Sequence, residues 1–253
     1  MLKRLTGIGL GLLGIATVLL GWQILHLLEV VPSGSLPSPW AVLTHFPDLL
    51  SDGEFVVGIG NTLLAWMLAL VITSVTGVAA GLLTSTTPGL ARPSAVAVNA
   101  FRSIPATALI PIAILLFGLG VEMKVSVAIY AIFWPVLINT VYGVANTEPM
   151  RLDAARSMRW SWWRRQLYVV LPSALPSITT GIRIASGTAL VVVLSAELLG
   201  AKSGVGTVML RYQNALMAEF VYAGVLCIGA LGAIMYTCIA AAERRIVKWA
   251  PVG

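Results

Sequence analysis

Apolar residues collect in six long runs, separated by short stretches that hold most of the charge and proline. The runs cover residues 5–28, 56–83, 95–119, 125–145, 175–199 and 220–242. About 20 apolar residues cross a bilayer as a helix. The hydrocarbon core gives exposed backbone groups no partner, so helices are the expected form. The pattern predicts an all-α integral membrane protein with about six transmembrane helices.

The third run differs from the others. Pro105 and Pro111 interrupt it, and Arg102 lies near its start. Proline removes a helix hydrogen bond, so a kink or break is expected here. Irregular backbone at membrane depth needs protein or a cavity around it. A packing kink and a pore-lining segment both satisfy that requirement. No internal repeat is visible: the prolines of the third run do not match Pro172 and Pro176 in spacing. An inverted-repeat secondary transporter would show such a match.

Composition agrees with a bilayer as solvent. The chain of 253 residues is 58% hydrophobic and 10% charged, with mean hydropathy +0.92. Soluble domains carry about a quarter charged residues. The net charge of +6 does not indicate nucleic acid, because the cations sit at the ends of apolar runs. Placing both termini in the cytoplasm puts Lys3, Arg4, Arg92, Arg151, Arg156, Arg159, Arg164, Arg165, Arg244, Arg245 and Lys248 inside. Lys124, Lys202 and Arg211 then fall outside. The excess of inner cations predicts N-in and C-in. The first run is too long for a signal h-region and reads as an uncleaved helix. The loop after it, with Glu29, Asp48, Asp52 and Glu54 and no Lys or Arg, suits the outer face.

Enzyme chemistry finds little support. Gly9-Leu-Gly11-Leu-Leu-Gly14 matches a dinucleotide fingerprint, but it lies inside an apolar helix with no preceding strand. No G-x-x-x-x-G-K-[ST], H-E-x-x-H or G-x-S-x-G occurs, so no catalytic residues are assigned. Cys227 and Cys238 would stand roughly 16 Å apart on one helix, beyond disulfide reach. His26 and His45 form no ligand pattern, and no metal site is expected. Gly77-Val-Ala-Ala-Gly81 allows close helix approach and reads as packing within the subunit. Arg102, Arg183 and Glu197 stand in or near apolar runs, where a central charge costs about 2.5–3.5 kcal/mol on the insertion scale. For Arg183, snorkelling or an internal ion pair is the favoured explanation. For Arg102 and Glu197, that explanation and a role lining a polar route both stand.

The loop Asp153 to Pro172, DAARSMRWSWWRRQLYVVLP, is the most basic in the chain. It holds Arg156, Arg159, Arg164 and Arg165 beside Trp160, Trp162 and Trp163, with Arg151 just before. Glu148-Pro149 can open a helix there, since proline suits the first turn and an acid the positive dipole end. Taken alone, this basic aromatic helix fits lipid anchoring and protein docking equally.

At this loop the chain resembles the permease subunit of a binding-protein-dependent ABC importer. That family's signature runs E-A-A, three residues, Gly, a nine-residue spacer, then I-x-L-P. Asp153-Ala154-Ala155 is followed at the same spacing by Val169-Val170-Leu171-Pro172. Two positions depart: Asp153 replaces Glu, and Arg159 stands where the family usually has Gly. Further similarity lies in Pro37-Ser-Pro39, Arg102-Ser-Ile-Pro105, Phe117-Gly-Leu-Gly120, Thr180-Gly-Ile-Arg183 and Ala196-Glu197-Leu-Leu-Gly200-Ala-Lys-Ser-Gly204-Val-Gly206. Together these are similar to the nitrate/sulfonate/taurine branch.

The resemblance covers about residues 36–248. It implies a permease core there, a coupling loop at about 146–171, an N-terminal helix and the start of the outer loop in 1–35, and a cytoplasmic tail in 249–253. It implies that Asp153, Ala154, Ala155, Arg156, Met158, Arg159, Leu171 and Pro172 dock on an ATPase, and that Arg102, Pro105, Arg183 and Glu197 are candidates for the path. The implied partners are a second permease subunit (a homodimer), two cytoplasmic ATPase subunits that carry ATP and Mg, an extracytoplasmic binding protein, and the bilayer. The implied location is the bacterial inner membrane. The solute class is a small oxyanion or sulfonate, though related permeases carry neutral heterocycles. An ATP-independent channel or secondary transporter is the rival reading, and it predicts flux through this chain alone.

Overall fold

The computed structural model describes residues 2–31, 34–87, 89 and 91–247, without the side chains of residues 2–8, 12, 91 and 92. Lys3, Arg4, Arg92 and Lys248, counted above for orientation, therefore lie outside the described side chains, as does the 249–253 tail. Regular structure among the described residues is entirely helical. The order is α1 (Leu2–Leu27), α2 (Pro39–Thr44), α3 (Phe46–Ser51), α4 (Gly53–Thr86) and α5 (Ala91–Arg102). A 3-10 turn (Ala106–Leu109) leads to α6 (Ile110–Phe117), α7 (Val121–Ala145), α8 (Pro149–Ser157) and α9 (Trp162–Arg165). A π turn (Gln166–Val170) then enters α10 (Leu171–Leu199), followed by α11 (Val205–Asn214) and α12 (Ala218–Ile246).

Five helical stretches are long and apolar enough to cross a membrane: Gly9–Leu27, Gly53–Thr86, Val121–Ala145, Trp162–Leu199 and Ala218–Ile246. The third run of the sequence is the exception, as its prolines indicate. It is a bent pair, Pro93–Arg102 and Ala106–Phe117, turned by 77°. Only Pro105 stands at the break. Pro111 lies in the first turn of α6, where its missing N–H costs nothing. The short helices α2, α3 and α11 carry too few apolar residues to register as runs.

The chain divides into two compact units. One comprises residues 57–207 and 230–253. Here α7 and α10 pack along their lengths, and glycine permits the contact. A Cβ on Gly181 would lie 2.7 Å from the Asn139 Cβ, and one on Gly143 would lie 2.9 Å from the Ala174 carbonyl oxygen. The Gly77/Gly81 pair of α4 packs inside the chain as expected. A Cβ at Gly81 would come within 2.6 Å of Thr140 on α7, and one at Gly77 within 3.0 Å of Val136. Helices in lipid associate through such close van der Waals contact. Small residues fill the centre, with Ala65, Ala69, Ala128, Ala185 and Ala189 wholly buried. The Trp66 indole N–H donates to the Ser186 carbonyl at 2.9 Å.

The other unit comprises residues 1–56 and 208–229. Ser38 caps α2, accepting from the Ala41 N–H at 3.1 Å, and Pro39 occupies the first turn. The Pro-Ser-Pro motif is thus a helix start. Trp22 donates to the Pro37 carbonyl at 3.0 Å, and its ring lies 5.6 Å from that of Tyr222. The Tyr212 hydroxyl donates to Asp52, and Arg211 pairs with Glu54. The Tyr212 bond holds the Asp52 carboxyl below its ordinary range, with the Glu54 and Phe55 N–H groups assisting against a desolvation penalty.

Candidate functional site

Helix α8 begins where Glu148 turns the chain and Pro149 supplies a preset φ. Its charges pair locally: Glu148 with Arg151 and Asp153 with Arg156, each at 2.9 Å. Both pairs are more than half exposed, so each adds at most about 0.5 kcal/mol. Ala155 is the one buried residue of the helix, while Met150 and Met158 are exposed. The helix therefore presents a sulfur-rich, mixed-charge face to its surroundings.

The end of α8 explains what stands at position 159. The Trp160 N–H donates to the Ala155 carbonyl at 3.1 Å, and the Arg159 N–H to the Arg156 carbonyl at 2.9 Å. This bond pair is a Schellman cap, which puts the residue after the helix in the left-handed region. Arg159 has φ +55°. The cap geometry that favours glycine is retained with an arginine in it.

Beyond the cap, the Ser161 hydroxyl accepts from the Arg164 N–H and opens α9. The Arg164 guanidinium lies 5.1 Å from the centre of the Trp160 ring. Pro172 stands in the first turn of α10, next to Leu171. The two ends of the spaced signature meet in space: Ala154, Ala155 and Met158 line a 330 Å³ groove together with Val169 and Pro172. Asp153, Arg156 and Arg159 do not line it.

The four path candidates fall in three places. Arg102 ends α5 and lines a 260 Å³ cavity with Thr84, Ser85 and Asn99 on one side and Leu137, Ile138 and Val141 on the other. It has no ion-pair partner among the described residues. Pro105 is exposed at the break just after it. Arg183 is elsewhere, paired with Glu243 at 3.2 Å and 5.9 Å from the Tyr236 ring. The Thr179 hydroxyl donates to the same carboxylate at 3.1 Å. An internal ion pair thus accounts for Arg183.

Glu197 is wholly buried and belongs to a closed polar centre. Lys124 Nζ lies 2.9 Å from its Oε1, with both side chains fully inaccessible. The lysine also donates to the Ser203 carbonyl at 2.9 Å. The Thr62 hydroxyl is 2.9 Å from both carboxylate oxygens and accepts from the Val205 N–H at 3.0 Å. The Gly206 N–H donates to Oε2 at 3.0 Å. Sequence reasoning placed Lys124 in an outer loop and missed this centre. The available signal was a lone lysine and a lone glutamate at the same expected depth, since a charge in an apolar run needs a partner.

Among the described residues, no group of three or more His, Cys, Asp or Glu could hold a metal ion.

The chain as a whole is similar to known proteins. The family described as binding-protein-dependent transport system inner membrane component matches residues 74–248, more than two thirds of the chain. A permease protein of Bacillus subtilis, SsuC, whose name assigns it to aliphatic sulfonates transport, is 30% identical, covering 94% of this chain and 87% of that one. The taurine transport system permease protein TauC of Escherichia coli is 28% identical over 98% of this chain and 91% of its own length. The formylaminopyrimidine transport permease protein ThiX of Halalkalibacterium halodurans is 30% identical over 85% of each chain. Among solved structures, a bacterial ABC transporter for import of the acidic polysaccharide alginate superposes with TM-score 0.69 at 17% identity, covering 96% of this chain and 94% of that one. The inward-facing MetNI methionine transporter gives 0.67 at 21% identity, covering 76% and 96%.

Proposed function

Because the chain belongs to the binding-protein-dependent transport system inner membrane components, and is thus a multi-pass permease component of an ABC importer, we propose that it carries a small organic oxyanion inward, with α8 as the coupling helix. The observation that carries the coupling assignment is the α8 cap and groove. A short exposed helix leaves α7, is closed by a Schellman cap, and meets the start of α10 at Pro172. A push on α8 therefore reaches α7 and α10, which pack along their lengths in the larger unit.

In this reading, two partner ATPase subunits hold ATP and magnesium and grip α8 from the cytoplasm. A second copy of this chain completes the path within the core of residues 36–248, and an extracytoplasmic binding protein delivers the solute. Closure of the ATPase pair moves α8 as a lever, and the paired bundles alternate their openings. The solute class rests on Arg102. An arginine without an ion-pair partner among the described residues, set in a cavity beside Thr84, Ser85 and Asn99, suits a sulfonate or similar oxyanion through charge-assisted hydrogen bonds. Sulfonate and taurine are the solutes named for two of the relatives.

Co-purification from native membranes followed by uptake in proteoliposomes tests this. A P-loop ATPase should accompany the chain and be lost when residues 153–165 are scrambled. Arg102→Gln should lower uptake of taurine-like sulfonates at least tenfold. A chain that purifies alone and passes solute without ATP refutes the proposal. Full sulfonate uptake by Arg102→Gln removes the anion assignment and leaves the coupling assignment standing.

A further inference from the structure

A second cavity lies behind α8, between that helix and the ends of α4 and α7. Its volume is 490 Å³, and it abuts the Arg102 cavity, with which it shares Ser85 and Val141. Three of its lining side chains carry polar atoms that are buried without a hydrogen-bond partner: Thr147 Oγ1, Arg165 Nε and Gln166 Oε1. Buried polar atoms are nearly always satisfied, and each exception asks for a missing partner. Here the three residues that carry such atoms line one space.

The chemistry of that space is one-sided. Arg156 and Arg165 bring positive charge, and among the described residues no acidic one lines the cavity. The carboxylates next to lining residues in the sequence, Glu148 and Asp153, are exposed and engaged with Arg151 and Arg156, each at 2.9 Å. Val144 and Trp162 supply an apolar wall. Gln166 and Val170 belong to the π turn, a distortion frequently kept at functional sites. Basic pockets near the cytoplasmic surface of membrane helices suit phosphate head groups.

We infer that this cavity is a binding site for one amphipathic oxyanion, a phosphate or sulfonate group with an apolar remainder, seated between the coupling helix and the bundle. The Arg165 guanidinium donates to the oxyanion, and the Thr147 hydroxyl and the Gln166 amide donate after rotation of their side chains. Val144 and Trp162 cover the apolar part. An occupant in that position stands behind the lever and fixes its distance from α4 and α7.

The test uses the full chain in nanodiscs, where binding can be read without transport. One arm measures labelled inorganic phosphate in discs of neutral phosphatidylcholine. The other measures, by native mass spectrometry, phosphatidylglycerol retained after exchange into neutral lipid. Expected is one phosphate, or one retained phosphatidylglycerol, per chain, with the arms identifying a free anion or a lipid as the source. Arg165→Gln should weaken retention at least tenfold. Thr147→Val, a nearly isosteric change, should weaken it several-fold while preserving the fold. The inference is overturned if neither ligand is held, if both variants hold it as the parent does, or if loss follows Arg102→Gln instead. Absence of a co-purifying ATPase bears on the proposed function and leaves this measurement unaffected.

Discussion

Lys124 and Glu197, separated by 73 residues, share a hydrogen bond of 2.9 Å with no solvent access to either side chain. Thr62, Ser203 and the Gly206 N–H complete the shell. Removing one partner leaves a charge buried alone, which costs about 3–5 kcal/mol. Lys124→Met and Glu197→Gln should each lower the unfolding midpoint of the detergent-purified chain sharply, or abolish its monodisperse peak on size exclusion. The double variant should lose less than the sum, because the residues act as one unit. Additive losses would show that the pair is not coupled.

Gly204 makes that shell possible. Its φ is +125°, and a Cβ there would lie 2.0–2.5 Å from the Glu197 carboxylate. Gly204→Ala should therefore destabilise the chain about as much as losing the pair. Gly60 on α4 offers the contrast, with nothing within 4 Å of an added Cβ. Gly60→Ala should be neutral or stabilising by up to about 1 kcal/mol. Comparable unfolding midpoints for the two variants would refute the crowding argument.

Hydrophobic runs were enough to locate the long helices, because lipid imposes length and apolarity on each one separately. The break after Arg102 was legible from Pro105, and the cation bias spoke for orientation. The spaced signature around Asp153 and Pro172 pointed to α8, yet Arg159 could not be interpreted without its backbone angle. Lys124 was read by its position between runs, although its partner is set by the return of the chain 73 residues later. The polar cavity behind α8 was invisible for the same reason: Thr147 comes beside Arg165 and Gln166 only in the folded chain. Short helices such as α11 escaped because their stability comes from contacts like Tyr212 with Asp52, which no periodicity records.

The Asp52–Tyr212 bond should make that region sensitive to acid. Asp52 has its carboxyl lowered in the folded state, chiefly by the Tyr212 hydroxyl. A depressed acid contributes stability above its unfolded value, about 3.9, and loses it as pH falls through the folded value. Thermal unfolding from pH 6 down to pH 3 should show a larger loss in the parent than in Tyr212→Phe, which keeps only the backbone N–H and Arg211 contributions. Identical acid profiles for parent and variant would show that the hydroxyl does not set the Asp52 charge.

Arg159 sits in a left-handed cap with φ +55°, a conformation that costs a side-chain-bearing residue roughly 1–2 kcal/mol. Arg159→Gly should remove most of that cost, while glycine's greater freedom in the unfolded chain takes some of it back. The net gain expected is about 0.5–1 kcal/mol. Arg159→Val should destabilise, since a β-branched residue tolerates positive φ least. The check is the unfolding midpoint of the purified chain, with protease sensitivity between Met158 and Trp162 as a local readout. Glycine should raise the midpoint and slow cleavage, and valine should do the reverse. If glycine lowers the midpoint and speeds cleavage, the Arg159 side chain contributes contacts that outweigh the backbone cost, and the cap is held by its side chain rather than its hydrogen bonds.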